Sequence, residues 1–217
     1  MILLQPSSDW ANKYHEIFLE RVHQLIVWGY QDICSQSFGS DTAEEEITGA
    51  LINAIKNRLN RSDLPIAYRR YFVEEEQPIN EFGRTGKHRQ RLDIVVTNCE
   101  NQPRPTFVFE AKRLKTRTHT MGKYLGPEGL MCFIKGEYAA NDSVAGMLAY
   151  LQDKNPDYWE RQLKQGLQPS RAKLQLENSL QACQMHADLP HEWETRHQRT
   201  HGQPIRILHL FLEFNTA

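Results

Sequence analysis

The stretches RLDIVVTN (91–98) and TFVFEAKRL (106–114), joined by the turn CENQPRP (99–105), carry most of the information about the fold. Both are rich in β-branched and aromatic residues and are bounded by turn-forming residues, a pattern typical of a β-hairpin. Side chains alternate between the two faces of a strand, so Glu110 and Lys112 share one face of the second stretch. Phe107, Phe109 and Ala111 lie on its opposite face.

A third charged residue, Asp93, lies in the first of these strands. Alternation places it opposite the apolar side chains of Leu92 and Ile94. A carboxylate or an ammonium within an apolar strand is costly unless it is paired or binds a metal. We therefore expect Asp93, Glu110 and Lys112 to point out of the core and to form a charged site on neighbouring strands. In the alternative interpretation, Glu110 and Lys112 form an ordinary cross-strand ion pair and Asp93 is a surface acid.

Helices and further strands are expected on both sides of this hairpin. Apolar residues spaced three and four apart predict a helix over residues 9–30, ending at Gly29, and a second helix over about 43–60. Thr42 followed by Glu45 has the pattern of a capping box at the start of the second helix. The remaining predicted elements are a strand within AYRRYFVEE (67–75), helices at about 142–153, 157–167 and 170–186, and a buried final strand in IRILHLFLEF (205–214). The predicted fold class is α/β, a small mixed β-sheet flanked by helices.

The composition is that of a globular chain forming a single domain. Of 217 residues, 40% are hydrophobic and 24% charged, which suffices for one substantial core. No apolar stretch is as long as a membrane span, which needs about 18 residues, so we expect a cytoplasmic protein without membrane contact. The four cysteines contain no CxxC pair, so the sequence gives no indication of a zinc site or a disulfide framework.

Charge is segregated along the chain although the formal net charge is only −1. Basic residues without an acid fill RTGKHRQR (84–91) and KRLKTRTHTMGK (112–123), while acids concentrate at 44–46 and 74–76. Such segregation can create a positive groove on a nearly neutral protein, the surface that a nucleic acid requires. The alternative is that each charge run is a solvated face.

The arrangement of Asp93, Glu110 and Lys112 resembles the D…ExK motif of the PD-(D/E)XK nuclease superfamily, with Leu92 in place of the usual proline. The resemblance implies a restriction endonuclease-like core and a Mg²⁺ site, for which Mn²⁺ would substitute. Asp93 and Glu110 would bind the metal, and Lys112 would position and deprotonate the attacking water. The resemblance also implies a division of the single domain into an N-terminal helix (1–40), a catalytic core (41–135), and C-terminal helices with the final strand (136–217).

Members of this superfamily often take a further metal-site glutamate from the helix before the strands. Helical spacing places Glu44 on the face that meets the sheet, which makes it our first choice and Glu45 the second. Glu46 completes the acidic triplet. The alternative is that all three acids only complement the positive end of the helix dipole.

The segments after the hairpin resemble uncharacterised bacterial PD-(D/E)XK proteins associated with restriction and phage defence. The resemblance implies a DNA endonuclease whose basic residues Arg89, Arg113, Lys115 and Arg117 grip the phosphate backbone. Cutting both strands favours a homodimer, and the lack of a recognisable sensor domain favours a separately encoded activator or inhibitor. Two other functions stay open: an inactive nucleic-acid- or partner-binding module with the same fold, and a nuclease for RNA or branched DNA. Five downstream residues are candidates for lining the cleft: Glu128, Glu137, Tyr138, His197 and Arg199.

Overall fold

One mixed β-sheet is the central layer of the computed structural model, which describes residues 8–36, 38–39, 41–78, 91–100 and 102–214. Its strands are β1 (Tyr71–Pro78), β2 (Arg91–Asn98), β3 (Thr106–Leu114), β4 (Val144–Leu151), β5 (Gln181–Ala182), β6 (Glu192–His197) and β7 (Ile205–Glu213). The α-helices are α1 (Ser8–Ile33), α2 (Glu44–Leu59), α3 (Met121–Tyr124), α4 (Leu130–Ile134) and α5 (Pro156–Leu167), and a short 3₁₀ helix spans Ile66–Tyr68.

The strands are arranged in the order β1-β2-β3-β4-β7-β6-β5. Strands β1, β2 and β3 form an antiparallel meander, β3 and β7 each pair in parallel with β4, and β6 is antiparallel to both β7 and β5. The α/β class and the mixed sheet flanked by helices are therefore confirmed. No helix within the described residues is long and apolar enough to cross a membrane.

Hydrophobic cores lie on both faces of the sheet. Helices α1 and α2 pack on one face, where Ile94, Phe107 and Phe109 contribute to the core. Helices α3, α4 and α5 cover the other face, where Val95 and Val108 join the core. The bounds of β2 and β3 agree with the predicted hairpin, and the predicted final strand is confirmed as β7. The helix predicted over 157–167 is confirmed as α5.

Gly29 does not end the first helix, contrary to the prediction, because α1 continues to Ile33. Its role is to let α1 and α2 approach each other closely. A Cβ at Gly29 would lie 2.7 Å from Ile55 Cγ1 and 2.8 Å from Leu51 Cδ1. Glycine is therefore kept inside a helix here for packing, at a small cost in helix propensity.

The predicted capping box of Thr42 and Glu45 is wrong. The residue before α2 is Ala43, and no side chain caps the helix there. The Thr42 carbonyl instead accepts hydrogen bonds from Arg113 Nη1 at 2.8 Å and from Gln152 Nε2 at 2.9 Å. Contacts with β3 and with the residue after β4 therefore fix the start of α2, and these long-range contacts are not visible in a local sequence pattern.

The helix predicted over 142–153 is wrong, because this segment contains strand β4. Every residue of β4 is buried, so both faces of the strand are apolar and the period-two alternation that identifies a strand is absent. Gly146 pairs with Phe109 of β3, and a Cβ on Gly146 would lie 2.1 Å from that ring. Glycine therefore makes room for an aromatic side chain in the centre of the sheet.

The helix predicted over 170–186 is also wrong, since this segment consists of turns and the short strand β5. Leu174 and Leu176 are both buried, with Lys173 exposed before them. Leu176 forms a β-bridge with His197, and the Leu174 carbonyl accepts a hydrogen bond from the His197 ring. Tertiary contacts therefore override the helix propensity of this segment.

Candidate functional site

Strands β2 and β3 separate at the end that carries the predicted acidic residues. Their paired register ends at Ile94 and Phe109. Beyond this point, the Ala111 amide donates a hydrogen bond to Oδ2 of Asp93 at 2.7 Å. The Asp93 side chain therefore bridges the two strands where their backbone ladder ends, and its carboxylate is held in a fixed position.

Glu110 points into the protein rather than out of the core, contrary to the expectation for this strand. The residue is only 3% exposed, because both faces of β3 are covered here. Its Oε1 lies 2.7 Å from Lys112 Nζ, whereas its buried Oε2 has no hydrogen-bond partner among the described residues. Burial, together with the nearby charge of Asp93, raises the pKa of Glu110 to about 9.

Lys112 connects the acidic residues. Its ammonium lies 2.7 Å from Glu110, 2.9 Å from Glu44 and 4.0 Å from Asp93, and it donates to the Ala111 carbonyl at 2.7 Å. Burial alone would lower the pKa of Lys112, but the surrounding carboxylates raise it above its ordinary value. Lys112 is therefore a stable ammonium in this arrangement and does not accept a proton.

Glu44, the first choice among the three helix acids, is the one that reaches this site. As the first residue of α2, it accepts a hydrogen bond from Lys112 through Oε1 and one from the Arg113 amide through Oε2, at 2.9 and 2.8 Å. Glu45 and Glu46 are exposed. We refer to Asp93, Glu110, Lys112 and Glu44 as the charged cluster.

The charged cluster has the chemistry of a site for a hard divalent cation. Three carboxylates supply oxygen ligands, only one ammonium balances them, and a buried Glu110 oxygen has no hydrogen-bond partner within the described part of the chain. Among the described residues, no three His, Cys, Asp or Glu side chains are placed close enough to hold a metal as they stand. The Lys112 ammonium lies between the carboxylates, so the donors fit such an ion but now surround a lysine.

Two cavities adjoin the charged cluster. A cleft of about 430 Å³ opens beside Glu44 and Lys112. A smaller cavity of about 70 Å³, lined by Glu44, Glu45 and Asp93 among others, lies on its other side. The cluster can therefore be reached from outside although Glu110 is buried, which is a requirement for binding a substrate.

The basic residues predicted to grip DNA are mostly engaged within the protein. The Arg113 guanidinium donates to the Thr42 carbonyl, and Lys115 pairs with Asp41 at 2.9 Å. Arg117 is exposed in a turn where its φ is 72°. Arg89 lies outside the described residues. The first two predicted contacts with phosphate therefore compete with existing intramolecular bonds.

The cleft also contains residues that the sequence analysis did not select or ranked low. His119 and Lys123 line it, and so does Glu128, one of the five downstream candidates. Both basic residues lie in the run 112–123, but the run itself does not reveal which of its members face the cleft. Tyr138, another candidate, donates a hydrogen bond to the Arg91 carbonyl of β2, and the charge of Glu110 contributes to its raised pKa after burial.

His197 and Arg199 have structural contacts instead. Arg199 donates to the carbonyls of Ala139 and Ala140 at 2.9 and 2.8 Å. His197 belongs to a chain of buried hydrogen bonds that we call the histidine network, which consists of Tyr124, His209, Thr195 and His197.

Every link of the histidine network is short. Tyr124 Oη lies 2.9 Å from His209 Nδ1, and Thr195 Oγ1 lies 2.8 Å from His209 Nε2 and 2.7 Å from His197 Nε2. The remaining nitrogen of His197 bonds to the Leu174 carbonyl at 2.8 Å. Burial lowers the pKa of His197 to about 4 and that of His209 to about 3, so both rings are neutral.

Comparisons with protein-family models, with curated proteins and with solved structures found no match to this chain. Its function has to be argued from the geometry and chemistry of the site.

Proposed function

We propose that this protein is a metal-dependent nuclease of the PD-(D/E)XK type that hydrolyses phosphodiester bonds in DNA. One observation carries the proposal: at the fork between β2 and β3, three carboxylates and a lysine meet beside an open cleft, and one buried carboxylate oxygen lacks a hydrogen-bond partner among the described residues. An unsatisfied buried polar atom of this kind is costly for folding and needs an explanation, which a functional role can supply.

The surrounding elements support a restriction endonuclease-like core. The site is built on an antiparallel meander that continues into the parallel strand β4, and the helix before the meander contributes Glu44. The motif residues therefore have the placement that the resemblance implies: Asp93 on one strand, Glu110 and Lys112 on the next.

Asp93, Glu110 and Glu44 are the proposed ligands of Mg²⁺ or Mn²⁺. When bound, the metal would supply charge neutralisation and a water activated for attack on phosphorus. Glu110 would then ionise, because a nearby positive charge favours the carboxylate form over the protonated form. The Oε2 atom of Glu110, which has no hydrogen-bond partner among the described residues, would be stabilised by such a positive charge.

Lys112 is proposed to act as a hydrogen-bond donor and a fixed positive charge. Its raised pKa disfavours the expected role of removing a proton from water, because that role requires the neutral amine. An ammonium in this position orients a water or a phosphate oxygen and stabilises the negative charge that builds up on the phosphate. Glu44 holds the ammonium in place at 2.9 Å.

A non-catalytic binding module is the second candidate, and one observation favours it. Lys112 already neutralises part of the acidic charge, and Arg113 and Lys115 are engaged in intramolecular contacts, which is what a purely structural cluster requires. The nuclease and a nucleic-acid-binding module both predict binding of nucleic acid, whereas a module that binds another partner does not. Only the nuclease predicts cleavage. The homodimer, the role as an effector of bacterial defence and a separate activator or inhibitor are further parts of the proposal.

The decisive experiment incubates the purified protein with supercoiled plasmid, linear duplex, single-stranded DNA and RNA, in Mg²⁺, in Mn²⁺ and in EDTA. We expect DNA cleavage that requires the divalent ion. Asp93→Ala and Glu110→Ala should abolish it, while the exposed acid in Glu46→Ala provides a matched control that cuts normally. The proposal is wrong if the protein cleaves none of these substrates, or if Glu110→Ala still cleaves DNA.

Metal binding is tested separately by titration calorimetry with Mn²⁺. Asp93→Ala and Glu110→Ala should each lower the affinity, because carboxylate oxygens are the preferred ligands of hard cations. Unchanged binding in both variants would place the metal elsewhere, even if the protein cuts DNA.

A further inference from the structure

The cleft beside the charged cluster contains basic side chains that the proposed chemistry does not use. The cleft has a volume of about 430 Å³. One side is formed by α2 and β3, with Glu44 and Lys112 at its border, and the other by the segment 119–128, with His119 and Lys123. These two basic residues therefore line the same space as the candidate catalytic lysine.

The far side of the cleft is held in a defined shape. Lys115 and His119 exchange two backbone hydrogen bonds, each of 3.0 Å, which fixes the start of the segment. A Cβ at Gly129 would lie 2.3 Å from the Tyr124 carbonyl oxygen, so the turn that follows Lys123 is packed too closely for any other residue. Backbone contacts within the protein therefore hold the segment that carries His119 and Lys123.

The charge on this side is available for an anion. Lys123 is exposed, and the described residues give it no ion pair, in contrast to Arg113, whose guanidinium is bound to Thr42. Burial lowers the pKa of His119, and the positive charges of Arg113 and Lys123 lower it further. An anion entering the cleft would meet two hydrogen-bond donors on this side, one of them the Lys123 ammonium.

We propose that Lys123 and His119 bind a backbone phosphate of one DNA strand, next to the phosphate that is cut. The inference rests on the proposed function for the identity of the ligand. A cleft of about 430 Å³ falls in the range of roughly 300 to 1,000 Å³ for sites that enclose small ligands, so it can hold a phosphate group of one strand.

Glu128 allows the effect of a negative charge on phosphate binding to be tested, because its carboxylate lines the same cleft. A negative charge near a bound phosphate weakens binding, whereas Lys123 and His119 strengthen it. Glu128→Gln keeps the shape of the side chain and removes its charge. It should therefore tighten binding while the two alanine variants weaken it.

The experiment measures binding of a fluorescein-labelled oligothymidylate to the full chain in EDTA, by anisotropy over a range of salt concentrations. Lys123→Ala and His119→Ala should raise the Kd about three- to tenfold. Loss of the Lys123 contact should also reduce the salt slope by about 0.7, the value for one phosphate of a single strand. The controls Lys173→Ala and His201→Ala change exposed residues outside the cleft and should leave Kd unchanged.

The inference fails if Lys123→Ala and His119→Ala bind like wild type or no more weakly than the two controls, or if Glu128→Gln weakens binding. Lys123→Gln, which retains part of the aliphatic stem, separates loss of charge from loss of folding. Binding in EDTA does not depend on cleavage, so the two proposals fail separately. If the protein cuts DNA but these substitutions leave binding unchanged, the proposed phosphate site in the cleft is wrong. If Lys123 contributes to binding but the protein does not cut DNA, the proposed nuclease function is wrong.

Discussion

The charged cluster and the histidine network are both groups of hydrogen-bonded polar side chains at the same sheet, but they differ in burial and in how their hydrogen bonds are completed. In the network, a threonine hydroxyl joins two neutral histidines, and each ring nitrogen has a partner within 2.9 Å. In the cluster, carboxylates outnumber the ammonium, and Glu110 Oε2 has no hydrogen-bond partner in the described part of the chain.

We infer from this difference that the network has a structural role and that the charged cluster is the candidate for a functional one. A buried network whose members satisfy one another is stable without any ligand and contributes to a unique core. A cluster that contains a buried carboxyl group with incomplete hydrogen bonds is stabilised by a ligand that completes them. The four predictions below test this distinction, from the largest expected effect to the smallest.

Removing the ammonium of the charged cluster should have the largest effect. Lys112→Ala should lower the rate of DNA cleavage roughly a hundred- to a thousandfold, the range for loss of one donor that stabilises the negative charge of a transition state. Lys112→Met keeps an unbranched side chain and should lose cleavage as well, which excludes lost packing as the cause. Full cleavage by Lys112→Met, combined with a lower melting temperature of Lys112→Ala, would make Lys112 structural.

Breaking the histidine network should affect stability and leave cleavage intact. Thr195→Val removes the hydroxyl between His197 and His209 and leaves a buried nitrogen of each ring without its partner. The free energy of unfolding should fall by about 1 to 3 kcal/mol for each unsatisfied group, as measured by urea denaturation. Thr97→Val, at a half-buried strand position outside the network, is the control. Loss of cleavage per folded molecule in Thr195→Val would mean that the network is part of the active site.

The three helix acids should differ in their effect on the metal. Glu44→Gln should weaken Mn²⁺ binding roughly ten- to a hundredfold, because Glu44 contacts both Lys112 and the Arg113 amide. Glu46→Gln changes an exposed residue of the same helix and should bind Mn²⁺ like wild type. If calorimetry gives the same Mn²⁺ affinity for both variants, Glu44 does not contribute to the metal site and the ligands lie on the strands.

The metal-free protein should lose stability as the pH rises. The pKa of Glu110 increases from an ordinary value of 4.5 to about 9 on folding, so the folded chain binds this proton more tightly than the unfolded chain. The free energy of unfolding in EDTA should therefore decrease between about pH 4.5 and 9. Glu110→Gln cannot titrate and should flatten this decrease. Glu192, whose pKa burial raises to about 7, contributes equally in both proteins. An unchanged pH profile in Glu110→Gln would show that Glu110 is ionised without metal.

The parts of the fold that were predictable are those with a local pattern. The turn CENQPRP (99–105) separates strands β2 and β3, and alternation places Asp93, Glu110 and Lys112 on one side of the hairpin. Helical spacing also selected Glu44 among three adjacent acids. In each case the periodicity within one element was sufficient to identify the side chain that reaches the cluster.

The parts that were not predictable depend on what surrounds an element. Strand β4 was assigned to a helix because neighbours bury both of its faces, which removes the alternation. The burial of Glu110 was missed for the same reason, since the core that covers it comes from distant segments. The contacts of Arg113 and Lys115 were missed because their partners, Thr42 and Asp41, lie about 70 residues earlier in the chain.

The parallel pairing of β3 with β4, and of β4 with β7, has a consequence for the order of events during synthesis of the chain. Pairs so far apart in sequence form slowly, because a long loop must close before they contribute any stability. Strand β7 ends at Glu213, so the centre of the sheet closes only after that segment has left the ribosome. All four members of the charged cluster are translated much earlier. We therefore expect nascent chains to carry these four side chains for some time before the sheet that holds them is complete.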